Sequence, residues 1–121
     1  MQHNKIIIAG GRDFANYSLL KNTCDNLLRE SSKLHDIVIV SGHAKGTDLL
    51  GEQYARERGY GIETYPADWR KHGRAAGPIR NFQMAGIADA LIAFWNGKSR
   101  GTKNMIDLAN RKGLEVAVIR Y

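Results

Sequence analysis

The chain has 121 residues, with 18 Lys and Arg against 12 Asp and Glu, for a formal net charge of +6. That length suits one domain over residues 1–121, and 43% hydrophobic with 25% charged residues is an ordinary globular composition. No apolar run reaches the length of a membrane span, the start is too poor in apolar residues for a signal peptide, and the single Cys24 excludes an internal disulfide. A protein of the reducing cytoplasm is expected.

In chain order, the run Ile6–Ala9 reads as a first buried strand that opens into the tight loop Gly10-Gly11-Arg12-Asp13-Phe14. Glycines there let the backbone approach a bound group, and the planar guanidinium of Arg12 suits phosphate or carboxylate. A helix over Ser18–Arg29 places Leu19, Leu20, Cys24, Leu27 and Leu28 on one face, which makes Cys24 a buried structural thiol. A second strand, Ile37–Val40, leads into the loop Ser41–Asp48 and a helix over Thr47–Arg58 that closes at Gly59. Thr47 suits a helix cap, and the free N–H groups of the same helix end attract an anion.

A third strand, Ile62–Tyr65, precedes Pro66–Gly77, about a dozen residues with no regular pattern, long enough to be a functional loop. It carries Asp68, Trp69, Arg70, Lys71 and Arg74, and the charge and bendable glycines read as a lid over a ligand. A helix over Pro78–Ala88 opens with proline, which the first helical turn tolerates, and holds Arg80 and Asn81. The strand Ala90–Phe94, the loop Trp95–Thr102, the helix Thr102–Lys112 and the strand Glu115–Ile119 complete the chain.

Strands alternating with helices at this spacing predict an α/β protein: a Rossmann-like, doubly wound parallel sheet of five strands in the order 3-2-1-4-5. Ligands in such sheets bind beyond the carboxyl ends of the strands, where the order reverses. The glycine loops converge there, and nine of the eighteen Lys and Arg, Arg12, Lys45 and Arg100 among them, fall in loops or first helical turns after strands. Two helix N-termini with glycines and hydroxyls facing one crevice predict a phosphate site. The G-x-G-x-x-G dinucleotide fingerprint and the Walker A motif are absent, and His3, His35, His43 and His72 lack zinc-ligand spacing, so neither a cofactor nor a metal is expected. A surface role is the ordinary reading for His43.

Several motifs occur together in order: strand-GGRDF, Val40-Ser41-Gly42-x-Ala44-x-Gly46-x-Asp48, Tyr65-Pro-Ala-Asp-Trp69, Ala76-Gly77-Pro78-Ile79-Arg80-Asn81-x-x-Met84-Ala85, and Ala93-Phe94-Trp95-x-Gly97-x-Ser99-x-Gly101-Thr102. In these the chain resembles the YspA-type, YpsA-related branch of the SLOG superfamily, over nearly its whole length, from about Ile6 to Ile119. That superfamily also takes in the Lonely-guy phosphoribohydrolases and the DNA-processing protein A family. The resemblance implies a nucleotide or nucleotide-derived ligand in the proposed crevice. Residues expected at the ligand are Gly10, Gly11, Arg12 and Asp13, then Ser41, Gly42, Ala44, Gly46, Thr47 and Asp48. Asp68 and Trp69, Arg80 and Asn81, and Trp95, Ser99, Gly101, Thr102 and Lys103 complete the set.

Lonely-guy enzymes follow their glycine-threonine loop with a glutamate that acts with an arginine in cleaving an N-glycosidic bond. Arg80 resembles that arginine, but the glutamate position, three residues after Thr102, holds Met105. A thioether accepts no proton, so no catalytic residue is assigned, and Asp13, Asp48 and Asp68 are the acids that remain for such chemistry. DNA-processing protein A relatives share the S-G-x-A-x-G-x-D loop and the Arg-Asn helix and bind single-stranded DNA. Stacking on Trp69, Trp95, Tyr65 or Phe14 would serve that purpose here. Three functions follow in order of preference: a binding module for an ADP-ribose-like, NAD-like or cyclic nucleotide, a hydrolase of a nucleotide N-glycosidic or phosphate bond, and a single-stranded nucleic-acid binder. Met84, Ile87 and Met105 suggest more apolar helix surface than one thin domain buries, and so a homo-oligomer, a dimer or a tetramer.

Overall fold

Successive residues of the first strand point to opposite sides, yet Ile6, Ile7 and Ile8 are all fully buried. A strand buried on both sides must lie inside a sheet covered by helices on both faces. A computed structural model, which describes residues 4–121, has this form. Its elements are β1 (Lys5–Gly10), α1 (Tyr17–Leu34), β2 (Val38–Ser41), α2 (Thr47–Arg58), β3 (Gly61–Thr64), α3 (Trp69–His72), α4 (Ala76–Ile87), β4 (Ala90–Trp95), α5 (Arg100–Arg111) and β5 (Glu115–Arg120), with a short 3-10 turn over Gly73–Ala75.

The five strands are all parallel and run in the order β3-β2-β1-β4-β5, as the alternation of elements predicts. On one face, Ile6, Ile8 and Ile39 pack with Leu20, Cys24 and Leu28 of α1 and with Tyr54 and Ala55 of α2. On the other, Ile7, Ala9, Val40 and Leu91 pack with Met84 and Ala85 of α4 and Met105, Ile106 and Ala109 of α5. Burial pushes the Cys24 thiol up to about 12, where it is inert at neutral pH. No helix among the described residues is long and apolar enough to cross a membrane.

Three expectations need correction. α1 runs five residues beyond Arg29, to Leu34, because the polar stretch Glu30–Lys33 continues the helix without the apolar period that marks one in sequence. Pro66–Gly77 is not irregular: the Asp68 side chain accepts the Lys71 N–H at 3.1 Å and caps α3, and the chain passes through the 3-10 turn into α4, which begins at Ala76. Pro78 therefore sits inside the first turn of α4, where its missing N–H leaves no bond unmade. Met84 and Met105 are each 1% exposed and fill the core of this same chain, so they supply no free surface for pairing.

Candidate functional site

A crevice of about 570 Å³ opens at the carboxyl end of the sheet between β1 and β4, where the strand order reverses. Three loops meet there through their own backbones. The Gly11 N–H donates to the Phe94 carbonyl at 3.2 Å, and the Thr47 N–H and hydroxyl donate to the Gly11 carbonyl at 3.2 and 2.9 Å. A side chain at Gly10 would collide with the Phe94 carbonyl oxygen and the Thr47 hydroxyl, and one at Gly11 with the Tyr121 hydroxyl. Both glycines line the crevice, but what demands glycine there is the protein's own packing.

The N-terminus of α2 is crowded by its own chain. Its N-cap is Gly46, at φ 84°, pressed against the carbonyls of Gly11 and Arg12, and Thr47 spends both its donors on Gly11. Its first turn carries the carboxylate of Asp48, whose Oδ2 accepts the N–H of Ala44 in the preceding loop at 3.1 Å, while the N–H groups of Asp48 and Leu49 have no intrahelical acceptor. Burial pushes the Asp48 carboxyl up to about 6, against the opposing pull of the Ala44 N–H and the Arg80 charge.

The N-terminus of α5 is open. Ser99 caps it, accepting the Thr102 N–H at 3.3 Å, while its hydroxyl lies 3.0 Å from that of Thr102. Asn96 Oδ1 fixes the approach by accepting the N–H groups of Lys98 and Ser99 at 2.8 and 2.9 Å. The N–H groups of Arg100 and Gly101, in the first turn, have no intrahelical acceptor. Gly101 lines the crevice, and a Cβ there would meet nothing within 4 Å. Such an end, with a positive dipole and free donors, has the chemistry that suits an anion.

Arg80 crosses the crevice floor from the first half of α4. Its Nη1 donates to the Gly42 carbonyl at 2.7 Å and its Nε to Asn81 Oδ1 at 2.9 Å, while Asn81 Nδ2 reaches the Gly101 carbonyl at 3.3 Å and Asn104 Oδ1 at 3.0 Å. These bonds tie α4 to the second loop and to α5. Burial lowers the Arg80 pKa from its ordinary value, which Asp48 partly offsets and Arg12 reinforces. Arg12 is exposed on the rim, its guanidinium 5.9 Å from the half-exposed ring of Trp69. Three guanidiniums, Arg12, Arg80 and Arg100, against the carboxylates of Asp13 and Asp48 leave the crevice positive.

Of the residues expected at the ligand, Gly10, Gly11, Arg12, Asp13, Ala44, Asp48, Trp69, Arg80, Asn81, Ser99, Gly101 and Thr102 line this crevice. Ser41, Gly42, Gly46, Thr47, Asp68, Trp95 and Lys103 do not. Ser41 is buried behind the loop on Glu52, Gly42 offers its carbonyl to Arg80, and Trp95 donates its indole N–H to the Ser99 carbonyl at 3.0 Å. Asp68 is spent on the α3 cap, and Lys103 pairs outward with Asp107 at 3.0 Å. Sequence reasoning passed over Asn96 and Asn104, which have no motif of their own, and Glu52, which is buried in mid-helix four residues after Asp48 on the same face. Among the described residues no group of three or more His, Cys, Asp or Glu is placed to hold a metal ion.

Parallel sheet, order 3-2-1-4-5 and an anion-suited crevice at the switch point define a Rossmann-like α/β protein. The chain belongs to the YspA, cpYpsA-related SLOG family, whose profile matches residues 4–72. It is 32% identical over 118 residues to the Gene 61 protein of Mycobacterium phage D29, covering 93% of both chains. Among solved structures it is similar to DNA processing protein A of Streptococcus pneumoniae, with 18% identity and a TM-score of 0.76 over 99% of this chain and 51% of that one. The Helicobacter pylori protein of the same name, described by its single-stranded DNA binding mode, matches with 23% identity and a TM-score of 0.67 over 97% of this chain and 65% of that one.

Proposed function

We propose that this protein binds a small nucleotide or nucleotide-derived ligand in the crevice, as a sensor or sequestering module. The observation that carries this reading is the pairing of the open α5 N-terminus with Arg80 and Arg12 around a space of about 570 Å³, within the range of small-molecule sites. The phosphate sits at the N–H groups of Arg100 and Gly101, and the base lies toward Trp69. The segment from Asp68 to Ala75 serves as the rim that covers the ligand. With Trp95 replaced by Phe, Trp69 emission should change when a nucleotide binds, and an unchanged signal during demonstrated binding removes the covering role.

A second reading, single-stranded nucleic acid, is favoured by the structural likeness to the two DNA processing proteins and by the basic residues Arg12, Arg70, Lys71 and Arg74 near the half-exposed Trp69. Hydrolysis is less well supported, because Met105, buried against the crevice, stands where a carboxylate would be needed. Thermal-shift screening with AMP, ADP-ribose, NAD and oligothymidylate, followed by chromatography of each hit, separates the three. Stabilisation with the nucleotide recovered intact supports binding, a new product supports hydrolysis, and steeply salt-dependent oligonucleotide binding supports the second reading. No shift with any of them contradicts all three.

Self-association is proposed through the outer face of α4, where Ile79, Phe82 and Ile87 are 36%, 54% and 39% exposed at helical spacing. Light scattering should give a multiple of the 13.5 kDa chain mass. A monomer mass across a wide concentration range rejects this.

A further inference from the structure

Three residues that line the crevice, Arg80 and Asn81 of α4 and Asn104 of α5, are joined by hydrogen bonds that run in one direction. Arg80 Nε donates to Asn81 Oδ1 at 2.9 Å, and Asn81 Nδ2 donates to the Gly101 carbonyl at 3.3 Å and to Asn104 Oδ1 at 3.0 Å. A guanidinium only donates and a backbone carbonyl only accepts, so the Asn81 amide has one possible orientation between them. Turned over, it would set its amine against the Arg80 donor and its oxygen against that of Gly101. Asn81 is 6% exposed, and a buried amide mispaired in that way is costly.

That orientation decides the next one. Both amine protons of Asn81 are spent, one on Gly101 and one on Asn104, and the atom that receives the second must be the Asn104 oxygen. The Asn104 amine is thereby held as a donor, and no acceptor among the described residues bonds it. Asn104 is half-buried inside α5, where asparagine is a poor helix former and alanine would serve the fold better. It follows Arg100 by four residues and Gly101 by three, one turn along the same helix face, and helical side chains lean toward the N-terminus. The shared contact of Asn81 with the Gly101 carbonyl and Asn104 Oδ1 puts the Asn104 amide beside the first turn, whose Arg100 and Gly101 N–H groups have no acceptor.

We propose that Asn104 is a recognition residue for the anion of the crevice ligand: its Nδ2 donates to a phosphate oxygen held at the α5 N-terminus, and Asn81 is its positioning residue. This rests on the nucleotide-binding reading. It adds to the two backbone N–H groups a side-chain donor of fixed direction, and it makes the hydrogen-bond chain from Arg80 part of phosphate recognition.

The test is calorimetric titration of the wild-type protein, Asn104→Ala, Asn81→Ala and the double variant with AMP. Alanine is the better helix former, so Asn104→Ala should melt within a few degrees of wild type. Its affinity for AMP should fall about threefold or more, and a smaller loss overturns the contact while leaving the nucleotide reading in place. AMP that fails to bind the wild type overturns the nucleotide reading and the contact with it. The Asn104→Ala penalty should shrink in the Asn81→Ala background, where the amine has lost its orientation, and an equal penalty in both backgrounds overturns the positioning role. Side-chain amide ¹H–¹⁵N signals of the wild type identify the group contacted. The Asn104 pair should move through a titration with AMP and stay in place with adenosine, which lacks the phosphate. A shift of the same size with adenosine, or none at saturating AMP, overturns the phosphate contact.

Discussion

The N-termini of α2 and α5 look alike in sequence, each a glycine beside a threonine after a strand, yet they differ in crowding and in charge. At α2 the chain crowds its own helix end: Gly46 packs on backbone carbonyls, Thr47 bonds to Gly11, and Asp48 brings a carboxylate. At α5 the cap is made by Ser99, a Cβ on Gly101 would meet nothing within 4 Å, and the two residues whose first-turn N–H groups have no acceptor, Arg100 and Gly101, line the crevice. One end holds the loops together and carries its own carboxylate, and the other has no acid in its first turn. Glycine is demanded by crowding at the first and only permitted at the second.

Paired glycine substitutions separate these roles most sharply. Gly46→Ala places a Cβ against the carbonyls of Gly11 and Arg12 at a positive φ and should destabilise the fold by about 2–4 kcal/mol. Gly101→Ala meets open space at a helical position and should leave stability within about 1 kcal/mol of wild type while weakening nucleotide binding. Denaturant melts of both, with one nucleotide titration, check this. Equal destabilisation by the two would erase the distinction.

Next in size are the arginines. Arg12→Ala and Arg80→Ala should each cost about 1.5–3 kcal/mol of ligand binding, at least tenfold in affinity, as the loss of a charge-assisted contact. Affinity held within twofold in both variants would place the anion elsewhere.

A smaller effect comes from Asp48. Its pKa in the fold, about 6, lies above its ordinary 3.8, so the folded state binds the proton more tightly than the unfolded one. The penalty for holding the charged form is absent below the unfolded value, grows between roughly pH 4 and 6, and is complete above that. Asp48→Asn should therefore stabilise the protein by about 1–3 kcal/mol at pH 7.5, with the advantage fading by pH 4. Chemical denaturation at the two pH values reads it directly, and a variant less stable at pH 7.5 would mean that the carboxylate is a net support for the loop.

The sheet order was legible because Ile6–Ala9, Ile37–Val40 and Ala90–Phe94 are short β-branched or apolar runs separated by helical periods, and parallel crossovers leave few ways to join them. Convergence of the glycine loops followed from that topology. What each loop does there was not legible, since whether Thr47 faces a ligand or the Gly11 carbonyl depends on a contact 36 residues away. Asp68 capping α3 was readable in principle from an acid three residues before Lys71, but the charged run after it resembled a solvated loop. Glu52 carried a faint signal. It lies on the same face of α2 as Asp48, and Gly51 beside it is small because the helix runs close to Ile8. Met84 and Met105 match a core stripe and a free surface equally well by spacing, and only the packing of α4 and α5 on the sheet decides between them.

The central claim is that the ligand's anion sits at the α5 end and not at the α2 end. Amide ¹H–¹⁵N spectra recorded through a titration with AMP test it residue by residue. The largest shifts should fall on Arg100 and Gly101, with smaller ones along Gly11–Asp13 and little change at Thr47–Leu49. Shifts concentrated at Thr47–Leu49, or saturating binding that leaves Arg100 and Gly101 unmoved, would contradict the account.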